Sequence, residues 1–151
     1  MASKPVAHRQ RAIQKQVARA DKKRPKKETN QAMQGSAIIN TGSVTGLLGS
    51  ESLLDYSITK GGIHAFTRSL ASHLVPRGIR LNAVAPEPAW TPLNPSDQKA
   101  GEVSTFGADT PVTRPAQPEE IAPAYVFLAA PQCSSYVTGE ILPIIGGYFG
   151  G

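Results

Sequence analysis

Two residues in this chain have the types and the spacing for proton-transfer chemistry: Tyr56 and Lys60, four positions apart in a segment with a helical pattern. Residues at this spacing share one helix face, so the two side chains can meet. A free phenol loses its proton only near pH ~10, and a cation close by favours the phenolate. The pair could therefore act as a general acid or base. The same spacing also fits a solvated helix end, and the two residues alone leave both interpretations open.

Composition limits the class of protein to which the pair belongs. The chain has 151 residues, 40% of them hydrophobic, which suffices for one globular domain with a core. No apolar run approaches the ~20 residues of a membrane span, and the first residues lack the apolar segment of a secretory signal. The single cysteine, Cys133, excludes an internal disulfide framework. We therefore predict a cytoplasmic protein with no membrane partner.

The positive charge is concentrated at the start of the chain. Residues 1–34 hold ten of the 16 lysines and arginines, and they contain few large apolar side chains that could be buried. We predict that this segment is a disordered basic arm, separate from a domain that spans residues 35–151. Binding to nucleic acid or to another acidic surface is the alternative role of such an arm, and nucleic acid is the less expected partner.

Beyond the arm, the pattern alternates between buried strands and helices. Residues 36–41 and 79–86 are short apolar runs without helical period, which is typical of strands in a parallel sheet. Between them, apolar residues recur at intervals of three to five and predict an amphipathic helix over residues 53–75. The apolar stripe of this helix consists of Leu54, Ile58, Ile63, Phe66, Leu70 and Leu74.

Three further segments complete the alternation. Residues 87–113 form a polar, proline-containing stretch that is longer than an ordinary connection and typical of a lid. Pro118 and the two glutamates after it predict the start of a helix, because proline suits the first turn and carboxylates suit its positive end. Residues 141–147 form a third apolar strand. The order predicts an α/β fold with a parallel sheet, and catalytic groups at the carboxyl ends of its strands.

Several motifs in this order resemble the short-chain dehydrogenase/reductase family. Tyr56 and Lys60 match its Y-x-x-x-K motif, and Ser43 lies thirteen residues before the tyrosine. Its later strand and C-terminal region are matched by R-G-I-R-L-N-A-V-A-P (77–86), R-P-A-Q-P-E-E-I-A (114–122) and S-S-Y-V-T-G (134–139). The wording is most similar to bacterial glucose-dehydrogenase-like and general-stress oxidoreductases. The resemblance covers about three quarters of the chain and implies the C-terminal, catalytic half of a Rossmann-like domain.

The resemblance implies reversible, NAD- or NADP-linked oxidation of a small-molecule alcohol or reduction of a carbonyl. In the family, the tyrosine matched by Tyr56 exchanges a proton with the substrate oxygen, and the serine matched by Ser43 donates to the carbonyl oxygen. The lysine matched by Lys60 favours the phenolate and hydrogen-bonds the cofactor ribose. Pro86 and Thr91 match positions beside the bound cofactor, with Thr91 near the nicotinamide. No metal is expected, because no histidine has a second ligand at coordinating spacing.

Several features of the family are absent from the sequence. Residues 1–34 contain no Gly-rich turn of the T-G-x-x-x-G-x-G kind, whose glycines hold the cofactor pyrophosphate at a helix start. Glu87 stands where the family has glycine, and its carboxylate would repel a pyrophosphate. Gly42 stands where serine or threonine is common, which we expect to loosen the strand end. We therefore predict a truncated chain that binds its cofactor weakly and is inactive in isolation.

Two functions remain open at this point. The first is an NAD(P)-dependent oxidoreductase that self-associates through helix 53–75, as the resemblance implies. The second is a non-catalytic interaction protein, derived from a reductase half, whose basic arm binds an acidic partner. Cofactor binding separates the two, because only the first function requires it.

Overall fold

The computed structural model describes residues 35–93, 96 and 100–147. The predicted basic arm lies outside the described residues, and so does part of the predicted lid, residues 94–95 and 97–99. The strands are β1 (Ala37–Thr41), β2 (Arg80–Pro86) and β3 (Ile141–Ile144). The α-helices are α1 (Thr45–Leu48), α2 (Leu54–Leu74), α3 (Ala100–Thr105), α4 (Pro118–Ala129) and α5 (Pro131–Ser134). Within the described ranges, none of the helices combines the length and apolarity needed to cross a bilayer.

The three strands form one parallel sheet in the order β1-β2-β3. Thr41 pairs with Val84 across the first ladder, and Val84 pairs with Leu142 across the second. The carboxyl ends of all three strands therefore meet at one edge of the sheet. This arrangement confirms the predicted α/β class with a partial Rossmann-like sheet.

Strand β2 is covered on both faces, which explains why its mostly apolar residues do not alternate with exposed polar ones. Successive side chains of a strand point to opposite faces, so Leu81 and Val84 lie on opposite sides of the sheet. Leu81 packs in a cluster with Ala71 and Leu74 of α2. Val84 packs in a second cluster with residues of α4, including Leu128. The sheet is therefore sandwiched between these two helices.

Helix α2 has the predicted bounds to within one residue, but it buries a different face from its apolar stripe. Its buried side chains are His64, Thr67, Ala71 and Leu74. Within the stripe, Leu74 is buried and Leu70 packs against the core. Leu54, Ile58 and Phe66 are exposed instead, at 67%, 73% and 57% of their surfaces. The stripe thus spans two faces of the helix, and half of it lies in solvent in this chain.

Small and polar side chains suit the buried face of α2 because β1 and the loop after it approach the helix closely. The Asn40 amide donates to the Thr67 hydroxyl at 2.9 Å. A Cβ atom at Gly46 would lie 2.6 Å from the Lys60 carbonyl carbon, so only glycine fits there. A periodicity of apolar residues carries no information about such polar and backbone contacts.

The start of α4 follows the prediction, with Pro118 at its first position. The Glu120 carboxylate accepts the Gln117 backbone N–H at 2.8 Å and the Arg114 guanidinium through two bonds of 2.7 Å. The Arg114 hydrogen bonds, followed by that of Gln117, lower the pKa of Glu120 from 4.5 to about 2.

The predicted loop and lid contain two short helices that the sequence pattern did not indicate, α1 and α3.

Arg80 joins the sheet to the carboxyl end of α4. Its side chain is buried, and Nη1 donates to the Leu128 carbonyl at 2.8 Å and to the Ser134 hydroxyl at 2.9 Å. Nη2 donates to the Ala129 carbonyl at 3.2 Å. The last carbonyls of a helix lack intrahelical partners and carry partial negative charge, so a buried guanidinium is favourable at this position.

We predict that Arg80→Met lowers the free energy of unfolding by about 2–4 kcal/mol, because it leaves the α4 carbonyls without their charged donor. The free energy of unfolding of Arg80→Lys should lie between those of the parent chain and Arg80→Met, since lysine keeps the charge but cannot reproduce the forked donors. Urea unfolding followed by circular dichroism measures the effect. Arg77→Met, at an exposed position, is the matched control and should change stability by less than ~0.5 kcal/mol. An equally small loss for Arg80→Met would contradict this account.

Candidate active site

The first residue of the candidate site, Ser43, is fixed by an extension of the β1–β2 ladder. The Gly42 N–H donates to the Val84 carbonyl at 2.7 Å, one residue beyond the end of β1. Ser43 follows and is only 3% exposed. Its hydroxyl donates to Oε2 of Glu87 at 2.9 Å and accepts from the Thr45 hydroxyl at 3.0 Å. Its single proton is therefore already engaged.

Lys60 links helix α2 to the same edge of the sheet. Its Nζ donates to the carbonyl of Thr41, the last residue of β1, at 3.3 Å. The same Nζ lies 5.3 Å from the centroid of the Tyr56 ring. The helix geometry thus brings the cation to the phenol as the spacing of four predicts, and the strand end holds the cation there.

Tyr56 presents its phenol to solvent. The side chain is 44% exposed, and its hydroxyl has no hydrogen bond with any residue that the structure describes. Ser43 and Glu87 form one contact pair and Tyr56 and Lys60 form another, both after carboxyl ends of strands. In the described ranges no hydrogen bond connects the two pairs. The phenol is therefore available to a ligand.

A cleft of about 960 Å³ opens beside the first pair. It lies between the segment that contains α1 and the segment that follows α3. Residues that line it include Val44, Leu48, Glu51, Glu87, Phe106 and Asp109. Ser43, Tyr56 and Lys60 are not part of this lining, so Ser43 is connected to the cleft through its two hydrogen-bond partners, Glu87 and Thr45, which both line it.

The other two candidate cofactor contacts follow strand β2. Pro86 ends the strand and is half-buried, and Thr91 is half-buried in the segment after it. That segment is held in place by the Trp90 N–H, which donates to the Ala116 carbonyl at 2.8 Å. The Trp90 ring also packs against Phe106, with centroids 6.3 Å apart. Trp90 thus anchors the segment that carries Thr91.

Comparison with known proteins identifies the fold family. A family model described as enoyl-(acyl carrier protein) reductase, within the short-chain dehydrogenase/reductases, matches residues 22–149. The chain belongs to the short-chain dehydrogenase/reductase family. The resemblance in its sequence motifs is thereby confirmed.

Three relatives show which proteins of the family this chain is similar to. Glucose and ribitol dehydrogenase homolog 2 of Arabidopsis thaliana is 55% identical over 114 residues, 76% of this chain and 39% of the relative. NADPH-dependent aldehyde reductase 1, chloroplastic, of the same plant is 54% identical over 114 residues, 76% of this chain and 40% of the relative. General stress protein 39 of Bacillus subtilis is 51% identical over 124 residues, 82% of this chain and 43% of the relative. The chain therefore spans about two fifths of the length of these relatives.

The residues present fit the ribose of a short-chain dehydrogenase/reductase cofactor. An ammonium has three donors, and the Thr41 carbonyl takes one of those of Lys60. Lys60 can therefore keep its strand contact and still donate to the hydroxyls of a sugar.

The His64 ring packs against the backbone of Gly42 and Gly46, on either side of Ser43. The imidazole is 2% exposed, and neither ring nitrogen has a hydrogen-bond partner among the residues that the structure describes. Burial lowers the pKa of His64 below its ordinary value of 6.5, the Gly46 backbone opposes this, and the charges of Arg68 and Lys60 lower it further. The Gly46 backbone is near the ring without the geometry of a hydrogen bond, so burial dominates.

The position of His64 changes the interpretation of Gly42. We predicted that glycine at this position loosens the strand end, but Gly42 is buried and hydrogen-bonded to β2. A Cβ atom at Gly42 would overlap Nε2 of His64. The imidazole therefore occupies the space that a side chain at 42 would need, and the glycine permits close packing.

Within the described ranges, no cluster of His, Cys, Asp or Glu could hold a metal ion, and His64 has a packing role.

Sequence reasoning missed the contact between Ser43 and Glu87. The signal was present, since the family has glycine where this chain has Glu87, but we interpreted the carboxylate only as a source of repulsion. The two residues are 44 positions apart. Only the parallel pairing of β1 with β2 shows that the two strand ends, and hence the two side chains, meet.

We predict that His64 makes the fold less stable as the pH falls below 6.5. Its pKa is lower in the folded state, so between that value and 6.5 only the unfolded chain binds the proton, and the free energy of unfolding decreases as pH drops. The loss amounts to ~1.4 kcal/mol for each unit of pKa difference. Urea unfolding just above and well below pH 6.5 measures it.

His64→Leu should remove this part of the pH dependence. His73→Leu, the same change at an exposed position of the same helix, should leave it intact. The carboxylate Glu120 loses its contribution only below pH 4.5, so it does not interfere in this window. Equal slopes for the parent chain and His64→Leu would refute the prediction.

Proposed function

We propose that this chain carries the proton-transfer part of an NAD(P)-dependent oxidoreductase that interconverts alcohols and carbonyls. The observation that supports the proposal is the Lys60 ammonium, held between the Thr41 carbonyl at 3.3 Å and the Tyr56 ring at 5.3 Å. A tyrosine packed against a cation and exposed to solvent is suited to exchanging a proton with an oxygen of a bound substrate. A solvated helix end, the alternative, does not require that the lysine reach back to the end of a strand.

The proposed roles follow from the groups that each side chain offers. The Tyr56 phenol gives its proton to the substrate oxygen in the direction of reduction and takes it back in the direction of oxidation. The Lys60 cation stabilises the phenolate left behind. NAD or NADP supplies or accepts the hydride when bound. Ser43, as the third catalytic candidate, could donate to the substrate oxygen only after its bond to Glu87 is broken.

The proposed cofactor contacts are Lys60, Pro86 and Thr91. Lys60 has donors for the ribose hydroxyls, Pro86 is the last residue of β2, and Thr91 lies on the segment that follows the strand. One relative is named an NADPH-dependent aldehyde reductase, and another a glucose and ribitol dehydrogenase homolog. These names support a small alcohol or carbonyl compound as the substrate, with either cofactor.

Self-association through α2 is the proposed mode of assembly. Leu54, Ile58 and Phe66 form an exposed apolar face opposite to the face that packs on the sheet. Exposed apolar patches of this kind are typical of contact surfaces. The same face also supports the second candidate function, a non-catalytic interaction protein.

The basic arm of that alternative lies outside the described residues, and the boundary between residues 34 and 35 stays part of the proposal. So does a location in the reducing cytoplasm, which suits the single, exposed Cys133.

We expect the isolated 151-residue chain to bind NADH or NADPH no more tightly than about 1 mM and to show no measurable turnover. Its candidate contacts amount to a few hydrogen bonds of ~0.5–1.5 kcal/mol each, and hydride transfer requires a firmly oriented cofactor. Fluorescence titration with both cofactors, together with alcohol and aldehyde panels, measures both quantities. Lys60→Met should weaken any cofactor binding, whereas Arg68→Met on the same helix should not. Micromolar binding with turnover that Tyr56→Phe abolishes would show a working enzyme and overturn the expectation of inactivity.

We also expect a dimer or larger oligomer in sedimentation equilibrium. Ile58→Asp and Phe66→Asp should each dissociate it, because a charge at a buried apolar contact lacks a partner. Leu93→Asp, at an exposed apolar residue outside α2, is the control and should leave the oligomer intact. A parent chain that is monomeric at micromolar concentration would rule out the proposed assembly.

A further inference from the structure

Glu87 stands between the buried serine and the open cleft. It follows β2 directly, and its N–H donates to the Ile144 carbonyl at 3.0 Å, so its backbone is held against β3. Its Oε2 accepts the Ser43 hydroxyl at 2.9 Å. The residue also lines the cleft of about 960 Å³. The side chain therefore has one oxygen bound to the serine and a place in the wall of the cavity.

The hydrogen bonds of Ser43 leave it no proton for a substrate. A hydroxyl has one proton and two lone pairs. The proton goes to Glu87, and the Thr45 hydroxyl donates to the serine oxygen at 3.0 Å. Glu87 and Thr45 line the cleft, and the Thr45 proton is used on Ser43, so the group of this network that can accept a proton from a ligand there is the carboxylate, while no hydroxyl proton of the network is free.

No cation in the described part of the chain neutralises this carboxylate. Arg114 is a candidate, because it lines a small cavity of about 150 Å³ together with Glu87. Its guanidinium is bound to both oxygens of Glu120 at 2.7 Å. The other charged residues in the cleft lining, Glu51 and Asp109, are acidic. The Glu87 carboxylate can therefore interact with a ligand in the cleft without competition from a cation of the described residues.

We propose that Glu87 determines specificity in this cleft by favouring the alcohol over the carbonyl form of the substrate. An ionised carboxylate accepts hydrogen bonds and donates none. An alcohol has a hydroxyl proton to give to it, whereas a carbonyl oxygen would bring two acceptors together without a proton between them. The inference rests on the proposed alcohol and carbonyl chemistry, and it adds a bias in binding that the glycine usual at this position does not supply.

The test compares the binding of a matched pair of probes, cyclohexanol and cyclohexanone, to the full 151-residue chain by saturation-transfer NMR. The parent chain should bind the alcohol about three- to tenfold more tightly than the ketone, the range of one net hydrogen bond. Glu87→Gln should abolish the preference, because an amide both donates and accepts. Glu87→Gly should reverse it, because the Ser43 proton is then free for the ketone.

Two controls separate the role of Glu87 from a general effect of charge or of folding. Glu51→Gln removes a different carboxylate from the same cleft and should leave the preference unchanged. Ser43→Ala keeps the Glu87 carboxylate and should also retain the preference for the alcohol. Circular dichroism of each variant shows whether it is folded.

The proposal is overturned if the parent chain prefers the ketone, if it binds neither probe, or if folded Glu87→Gln keeps the parent ratio. Neither probe measurement requires a cofactor. A failure of the proposed function would appear in the NADH and NADPH titrations as binding that Lys60→Met does not weaken, with the alcohol preference unchanged. Loss of the preference alone, with cofactor binding that Lys60→Met still weakens, would refute only the role of Glu87.

Discussion

The complete burial of strand β2 is the constraint on which the rest of the structure depends. Every residue from Arg80 to Ala85 is buried, so both faces of the strand must be covered, and α2 and α4 are held against them. The parallel ladders on its two sides align the strand ends. Each ladder extends one residue further, through Gly42 to β2 and through Glu87 to β3. This extension places the two residues of the serine–carboxylate pair beside each other at one edge of the sheet.

The Ser43–Glu87 hydrogen bond shows how one substitution alters a site without disrupting the fold. A buried hydroxyl without a partner costs ~1–3 kcal/mol, and the carboxylate satisfies it at 2.9 Å. The same contact removes the serine proton from chemistry. The Tyr56–Lys60 pair stands apart from this change, because the strand carbonyl of Thr41 and the helix spacing fix it independently. The proposed proton transfer and the proposed substrate selection would therefore depend on two separate contacts.

The sequence predicted the elements of the fold better than their contacts. The three strands follow from apolar runs without helical period, and the bounds of α2 differ from the prediction by one residue at each end. The buried face of α2 could not be predicted from apolar periodicity, since His64 and Thr67 are buried by the close approach of a glycine-containing loop. The partner of Ser43 required knowledge of strand pairing. Spacing along one helix did predict the approach of Lys60 to Tyr56, because helix geometry alone determines it.

The central claim, that Tyr56 transfers the proton, is tested most directly in a chimera. Residues 35–147 of this chain would replace the matching segment of the Arabidopsis thaliana NADPH-dependent aldehyde reductase 1, which is 54% identical to it. Turnover would be measured in both directions with NADPH and NADP, for the chimera and for its Tyr56→Phe variant. The account predicts that the folded variant loses about 10²–10⁴-fold in kcat and still binds NADPH. Equal turnover by the two folded proteins would contradict it.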